Sequence, residues 1–186
     1  RDGLVEMVAN FLSKLQHNPA ACAQILNWGD KVGATVLHWS VFNASSSHVE
    51  ILKLFLNAPG VNPQIPDKKG RTACTLACAK DNRNALRELL SFRGGPTCDA
   101  AAMGPNGQSC VHLAAERGDT ETLELLQQKG QLTNHSVNLP TGPEYDDEVV
   151  VTPLWLAVKS GSVSTVRVLI AAGANSKIGV TANTTE

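Results

Sequence analysis

One short segment recurs along this chain, and that recurrence limits the possible folds more than any other feature. Ser109 opens the run SCVHLAA, and related runs open at Thr35 (TVLHWSV), Thr72 (TACTLAC) and Thr152 (TPLWLAV), spaced by 37, 37 and 43 residues. Each run follows a turn: Asp30-Lys31-Val32-Gly33, Asp67-Lys68-Lys69-Gly70, Pro105-Asn106-Gly107 and the altered Asp147-Glu148-Val149-Val150. Each precedes a second stretch with helical apolar spacing: HVEILKLFL from His48, NALRELL from Asn84, DTETLELL from Asp119 and SVSTVRVLI from Ser162. A unit repeated at this period cannot bury its apolar face alone, so it must stack on its neighbours.

The residue types suit a helix–turn–helix unit. Thr35, Thr72, Ser109 and Thr152 place a hydroxyl where a helix begins. Pro153 falls at a first helical position, where its missing N–H is harmless. The small pairs Ala77-Cys78, Ala114-Ala115 and Ala157-Val158 predict close approach of neighbouring first helices. Gly118 and Gly161 can take the positive φ that ends a helix. Leu123, Leu125 and Leu126, like Val166, Val168 and Leu169, give the second helix an apolar face.

The pattern D-x-x-G, T-P-L-H-x-A-A, break, second helix, G-A resembles the ankyrin repeat. It is most complete at TPLWLAVKSGSVSTVRVLIAAGAN from Thr152, and the resemblance covers residues 28–178 in about four copies. It implies an all-α ankyrin-repeat solenoid, stacked helix-turn-helix units with projecting β-turn fingers. It also implies that His38 and His112 tie each repeat to its neighbour. Departures are extra residues at 43–47, Thr75 and Asp81 in place of the histidine and glycine of copy two, Trp155 in place of the histidine of copy four, and an insertion at 131–151 without helical pattern. Residues 1–27 read as atypical N-terminal capping helices, with a stripe of Leu4, Val5, Val8, Phe11, Leu12 and Leu15. Residues 179–186 read as a flexible tail.

The chemical alternatives are weaker. Cys110 and His112 could form a thiol–imidazole pair, but residues two apart on a helix point in different directions. Cys74 and Cys78 share a helix face and could start a zinc site, yet two further ligands at close spacing are missing. No Gly-rich phosphate loop, G-x-S-x-G or H-E-x-x-H is present, so no catalytic residue, metal or cofactor is expected. The five cysteines are an odd number without framework spacing, which favours reduced thiols and a cytoplasmic or nuclear chain. The sequons at Asn43, Asn134 and Asn183 point the other way. A chain opening at Arg1 is expected to be a fragment or a processed product.

A net charge of −1 gives no field for nucleic acid or an anionic membrane. No apolar run approaches the roughly 20 residues of a membrane span. The resemblance implies a non-catalytic, monomeric module that binds another protein or peptide on the finger and first-helix face. Transferred position by position, it implies Lys31, Lys68, Lys69, Arg71, Asn106, Gln108 and Glu148 at the fingers and Phe42, Asn43, Lys80, Glu116, Arg117 and Lys159 at helix ends. Val32, Ala79 and Ser160 accompany them. Trp39 lies near the same groove, although a packed core position is the favoured reading for it.

The face is expected to be basic around the first two fingers and acidic near Glu144, Asp146, Asp147 and Glu148, so that it orients its partner. Tyr145, in the same insertion, is a candidate contact. A second reading makes the array the recognition domain of a larger enzyme or channel. LHW at residues 37–39 with SCVHLAA is similar to segments of ankyrin-bearing DHHC palmitoyltransferases. Asn62, after Val61 and eight residues beyond Leu54, resembles ankyrin asparagines that are hydroxylated.

Overall fold

Thr35, Thr72, Ser109 and Thr152 each stand at the N-cap of a short helix in the computed structural model of the chain, which describes residues 2–141 and 151–178. The first unit, Arg1–Asp99, holds α1 (Asp2–Leu15), α2 (Pro19–Leu26), α3 (Val36–Phe42), α4 (Ser46–Leu56), α5 (Ala73–Ala79) and α6 (Arg83–Ser91). The second, Ala100–Glu186, holds α7 (Cys110–Arg117), α8 (Thr120–Gln128), α9 (Asn134–Asn138), α10 (Pro153–Lys159) and α11 (Val163–Ala171). Helices are the only regular elements among the described residues.

Each copy is a short first helix packed on a longer second one. In the first unit α3 packs on α4 and α5 on α6, with α3 against α5 and α4 against α6. In the second, α7 packs on α8 and α10 on α11, with α7 against α10 and α8 against α11. Leu52, Leu89, Leu126 and Leu169 occupy the same place in the four second helices, and none reaches solvent. Burying such a side chain contributes roughly 2 kcal/mol each. The small residues Ala77, Cys78, Ala114, Ala115 and Ala157 are buried as expected, whereas Val158 is exposed.

The fingers are tight turns held by their own aspartates. Asp30 Oδ1 accepts from the amides of Val32 and Ala34, both at 2.9 Å. Asp67 Oδ1 accepts from Lys69 and Arg71 at the same distance. In the third turn Gly104 stands where those aspartates do. Its amide donates to Gln108 O and its carbonyl accepts from Gly107, but no carboxylate gathers the tip amides. The first two fingers are joined by Lys68 N–H donating to Val32 O at 2.9 Å.

Where the first helix ends, Gly118 and Gly161 have φ +66° and +74°. Asp81 stands at that position in copy two with φ +54°, the one non-glycine residue at positive φ among the described residues. Aspartate tolerates this conformation better than most residues but still at a penalty. Asp81→Gly is therefore expected to raise the unfolding free energy by about 0.5 kcal/mol. The partner of its exposed ion pair, Arg83 at 3.5 Å, offsets little of that gain. A urea titration giving Asp81→Gly a lower midpoint than the parent would contradict this.

Three expectations are corrected. The 131–151 insertion is not without helix: Thr133 caps α9, and Ser136 and Val137 are buried. Asn138 then binds Gly173 O and the Asn175 amide. The α1 stripe splits: Val5, Val8, Leu12 and Leu15 are half-buried, while Leu4 and Phe11 are exposed. α1 packs mainly against α4 and α2, and the Leu4 and Phe11 edge of its apolar face stays exposed. The cysteines are not all free thiols: Cys74 and Cys98 form a disulfide with Cα atoms 6.0 Å apart, while Cys22 is free and buried.

Candidate partner-binding surface

Both histidines of the repeated motif serve the cap of their own helix, and His38 also ties its repeat to the next. Thr35 N–H donates to His38 Nδ1 at 3.1 Å. That nitrogen is therefore the acceptor, and Nε2–H donates to Arg71 O at 2.8 Å, reaching the next finger. Thr75 repeats only the near half: its Oγ1 accepts from Thr72 N–H and donates to Thr72 O. A threonine is too short for the second tie.

Ser109 N–H donates to His112 Nδ1 at 3.2 Å, and Ser109 Oγ lies 2.8 Å from it. His112 thus spends Nδ1 on the cap of its own helix. Burial pushes the His112 pKa down to about 4, against the smaller opposing pull of the Leu139 and Val151 carbonyls and Glu116. The ring is neutral at ordinary pH.

In the first unit, the ties set a surface. Trp39 is 56% exposed and so is not a core residue. Its indole N–H donates to Asp30 Oδ2 at 3.1 Å, fixing the ring against the first finger. Partial desolvation raises the Asp30 pKa, but the Ala34 and Val32 amides and this indole outweigh it and hold the carboxyl below its usual range. Phe42, 47% exposed, lies with its ring centroid 6.1 Å from that of Trp39. Lys80 Nζ sits 4.2 Å above the Phe42 ring, a cation–π contact. Val32, Lys31, Lys68 and Lys69 are exposed at the joined finger tips beside this row.

Other candidates are committed elsewhere. Arg71 is half-buried and bound to Asp67, with Nε at 2.8 Å and Nη2 at 2.6 Å from Oδ2. Desolvation raises the Asp67 pKa, but Arg71 and the finger amides lower it further, so the net shift is down. Asn43 is exposed, yet its carbonyl accepts from Asn82 Nδ2. Asn62 folds over its own turn, with Oδ1 accepting from Gln64 N–H and its amide donating to Asn27.

In the second unit Asn106 is exposed at its turn. Gln108, expected at a finger tip, is buried and donates through Nε2 to Glu116 Oε2 at 2.9 Å. It sits in the stem of its turn, where the chain runs into the Ser109 cap. Glu116 and Arg117 are exposed, and Lys159 lies 5.0 Å from the Trp155 ring centroid. Glu144, Tyr145, Asp146, Asp147 and Glu148 fall outside the described residues, as do residues 179–186. Sequence reading missed Asp30 as the clamp of Trp39. It also missed Trp28, exposed beside a shallow depression lined by Gln24, Asn27 and Gly29.

Among the described residues no group of three or more His, Cys, Asp or Glu side chains could hold a metal ion. No described helix is long and apolar enough to cross a membrane.

A sequence profile of three tandem ankyrin repeats matches residues 37–136 and 93–180. The chain belongs to the ankyrin repeat family. It is 28% identical over 149 residues to Rabankyrin-5 of Mus musculus, covering 80% of this chain and 12% of that protein. It is 31% identical over 130 residues to the B-cell lymphoma 3 protein of Homo sapiens, covering 70% of this chain and 26% of that one. The solved ankyrin repeat domain of Bcl-3, a member of the IkappaB family, superimposes with a TM-score of 0.74 at 26% identity. That match covers 95% of this chain and 70% of the solved one. The chain therefore spans only a minor part of the full-length relatives.

Proposed function

We propose that this chain is a protein-interaction module, and that its first unit holds an extended, acidic segment of a partner. The observation that carries the reading is the row Asp30–Trp39–Phe42–Lys80: two large exposed rings held in fixed positions, next to the exposed lysines of the first two fingers. Exposed aromatics fixed in this way are the usual anchors of an interface, because little side-chain entropy remains to be lost. Lys31, Lys68 and Lys69 would steer an acidic partner and set its direction. Arg71 is better read as internal bracing, since Asp67 already neutralises it.

The test is capture of partners from native lysate, followed by titration of the captured segment. Trp39→Ala with Phe42→Ala is expected to weaken binding at least tenfold, which is about 1.4 kcal/mol or more. Lys68→Glu with Lys69→Glu should slow association and flatten its salt dependence. Binding untouched by both pairs would reject this face.

The second reading makes the same face the recognition element of a larger enzyme or channel, and it is favoured by how little of the full-length relatives this chain spans. In either case we take the module to be monomeric and non-catalytic, with residues 1–27 as its N-terminal cap. Sedimentation of this chain tests the first of those assignments.

A further inference from the structure

Three positions of the third repeat touch the fourth within the second unit. Ala115 is wholly buried on α7, the helix that packs against α10. A Cβ at Gly118 would meet Ser162 Cβ at 2.9 Å, and the Gly118 carbonyl accepts from Ser162 Oγ. Thr120 Oγ1 lies 2.8 Å from Ser164 Oγ and 3.1 Å from Thr165 Oγ1. The same three positions of the fourth repeat are Val158, Gly161 and Val163. Val158 is 62% exposed and Val163 65%, and nothing lies within 4 Å of a Cβ at Gly161.

The first unit shows the same periodicity. Val41, the counterpart of Val158, is wholly buried, and its carbonyl is bound by Asn82 of the following repeat at 3.0 Å. A repeat that ends an array needs a polar outer face. Here exposed Val158 stands where earlier repeats bury Val41 and Ala115, and exposed Val163 stands where Thr120 meets Ser164 and Thr165.

We infer that the outer face of α10 and α11 is a repeat-stacking surface whose occupant is one further ankyrin-type helix pair. Its first helix sets small apolar side chains against Val158, and the capping residue of its second helix reaches the chain at Gly161. Trp155 stands where His38 ties copy one to the next finger, so this last junction lacks the imidazole link. It is held by apolar contact and the capping side chain alone. The inference is independent of the proposed binding face on the first unit.

The probe is a consensus ankyrin helix pair fused to the C-terminus of the whole chain. The fusion is expected to melt at least about 5 °C above the unfused chain. Val158→Glu with Val163→Glu should abolish that gain and leave the unfused chain, where both sites face water, at its original Tm. An unchanged Tm on fusion, or a gain that survives both glutamates, overturns the inference. So does sedimentation showing that the unfused chain dimerises at micromolar concentration and that the glutamates dissolve the dimer, because the occupant would then be a second copy.

Discussion

Between pH 6.5 and pH 4 the chain is expected to lose roughly 3 kcal/mol of unfolding free energy through His112 alone. The unfolded imidazole takes its proton near 6.5, whereas burial holds the folded one to about 4. Within that window the unfolded state binds more protons, so stability falls as pH falls; above 6.5 and below 4 this contribution is flat. The cause is geometric as well as electrostatic. Nδ1 already accepts from Ser109 N–H, and a proton placed there would break the cap of α7 in a site closed to water.

His112→Gln removes the titration while keeping a side chain able to accept from the Ser109 amide. The variant is expected to be about 1–3 kcal/mol less stable at pH 8, because a buried junction loses its fitted ring. Its stability curve should also run much flatter from pH 6.5 to 4.5. Asp30 and Asp67 do not confuse the result. Their pKa values are lowered, so their contribution is present above the ordinary aspartate range and is lost only as pH falls through it. Urea titrations at four pH values suffice, and parallel curves for parent and variant would rule the assignment out.

The fold was legible because helix caps are local. A hydroxyl three residues ahead of His38, Thr75 or His112 specifies where each first helix starts whatever packs on it, and all four caps stand where the repeat put them. The surface was less legible because exposure depends on fit. Trp39 occupies the position of Leu76 and Leu156, which are buried, so periodicity alone assigns it to the core. An indole is too wide for a slot that leucine fills, and its N–H turns out to Asp30.

The repeat pattern puts Arg71 at a fingertip, yet Asp67, four residues earlier, holds its guanidinium within the finger. Gln108 stands in the same stem position as Arg71 and is likewise turned inward, to Glu116. Within a finger, then, only the two residues between the aspartate and the glycine are free to meet a partner.

That division makes the glycine between the first finger and its stem unusually sensitive. Gly33 and Gly70 have nearly the same φ, +78° and +76°, so alanine meets the same backbone penalty at either site. Their surroundings differ. Around Gly70 nothing lies within 4 Å of the added carbon, whereas at Gly33 it would stand 2.9 Å from Lys68 N. That amide is the donor to Val32 O that joins the two fingers.

Gly70→Ala is expected to cost about 1 kcal/mol, the left-handed penalty less the entropy removed from the unfolded chain. Gly33→Ala adds the backbone clash and the lost hydrogen bond, for about 2–3 kcal/mol in total. The difference between the two variants isolates the junction, since conformational strain is common to both. Hydrogen exchange at the Lys68 amide should rise in Gly33→Ala and stay protected in Gly70→Ala. Equal destabilisation by the two substitutions would mean that the finger junction contributes nothing to holding the lysines of the binding face in register.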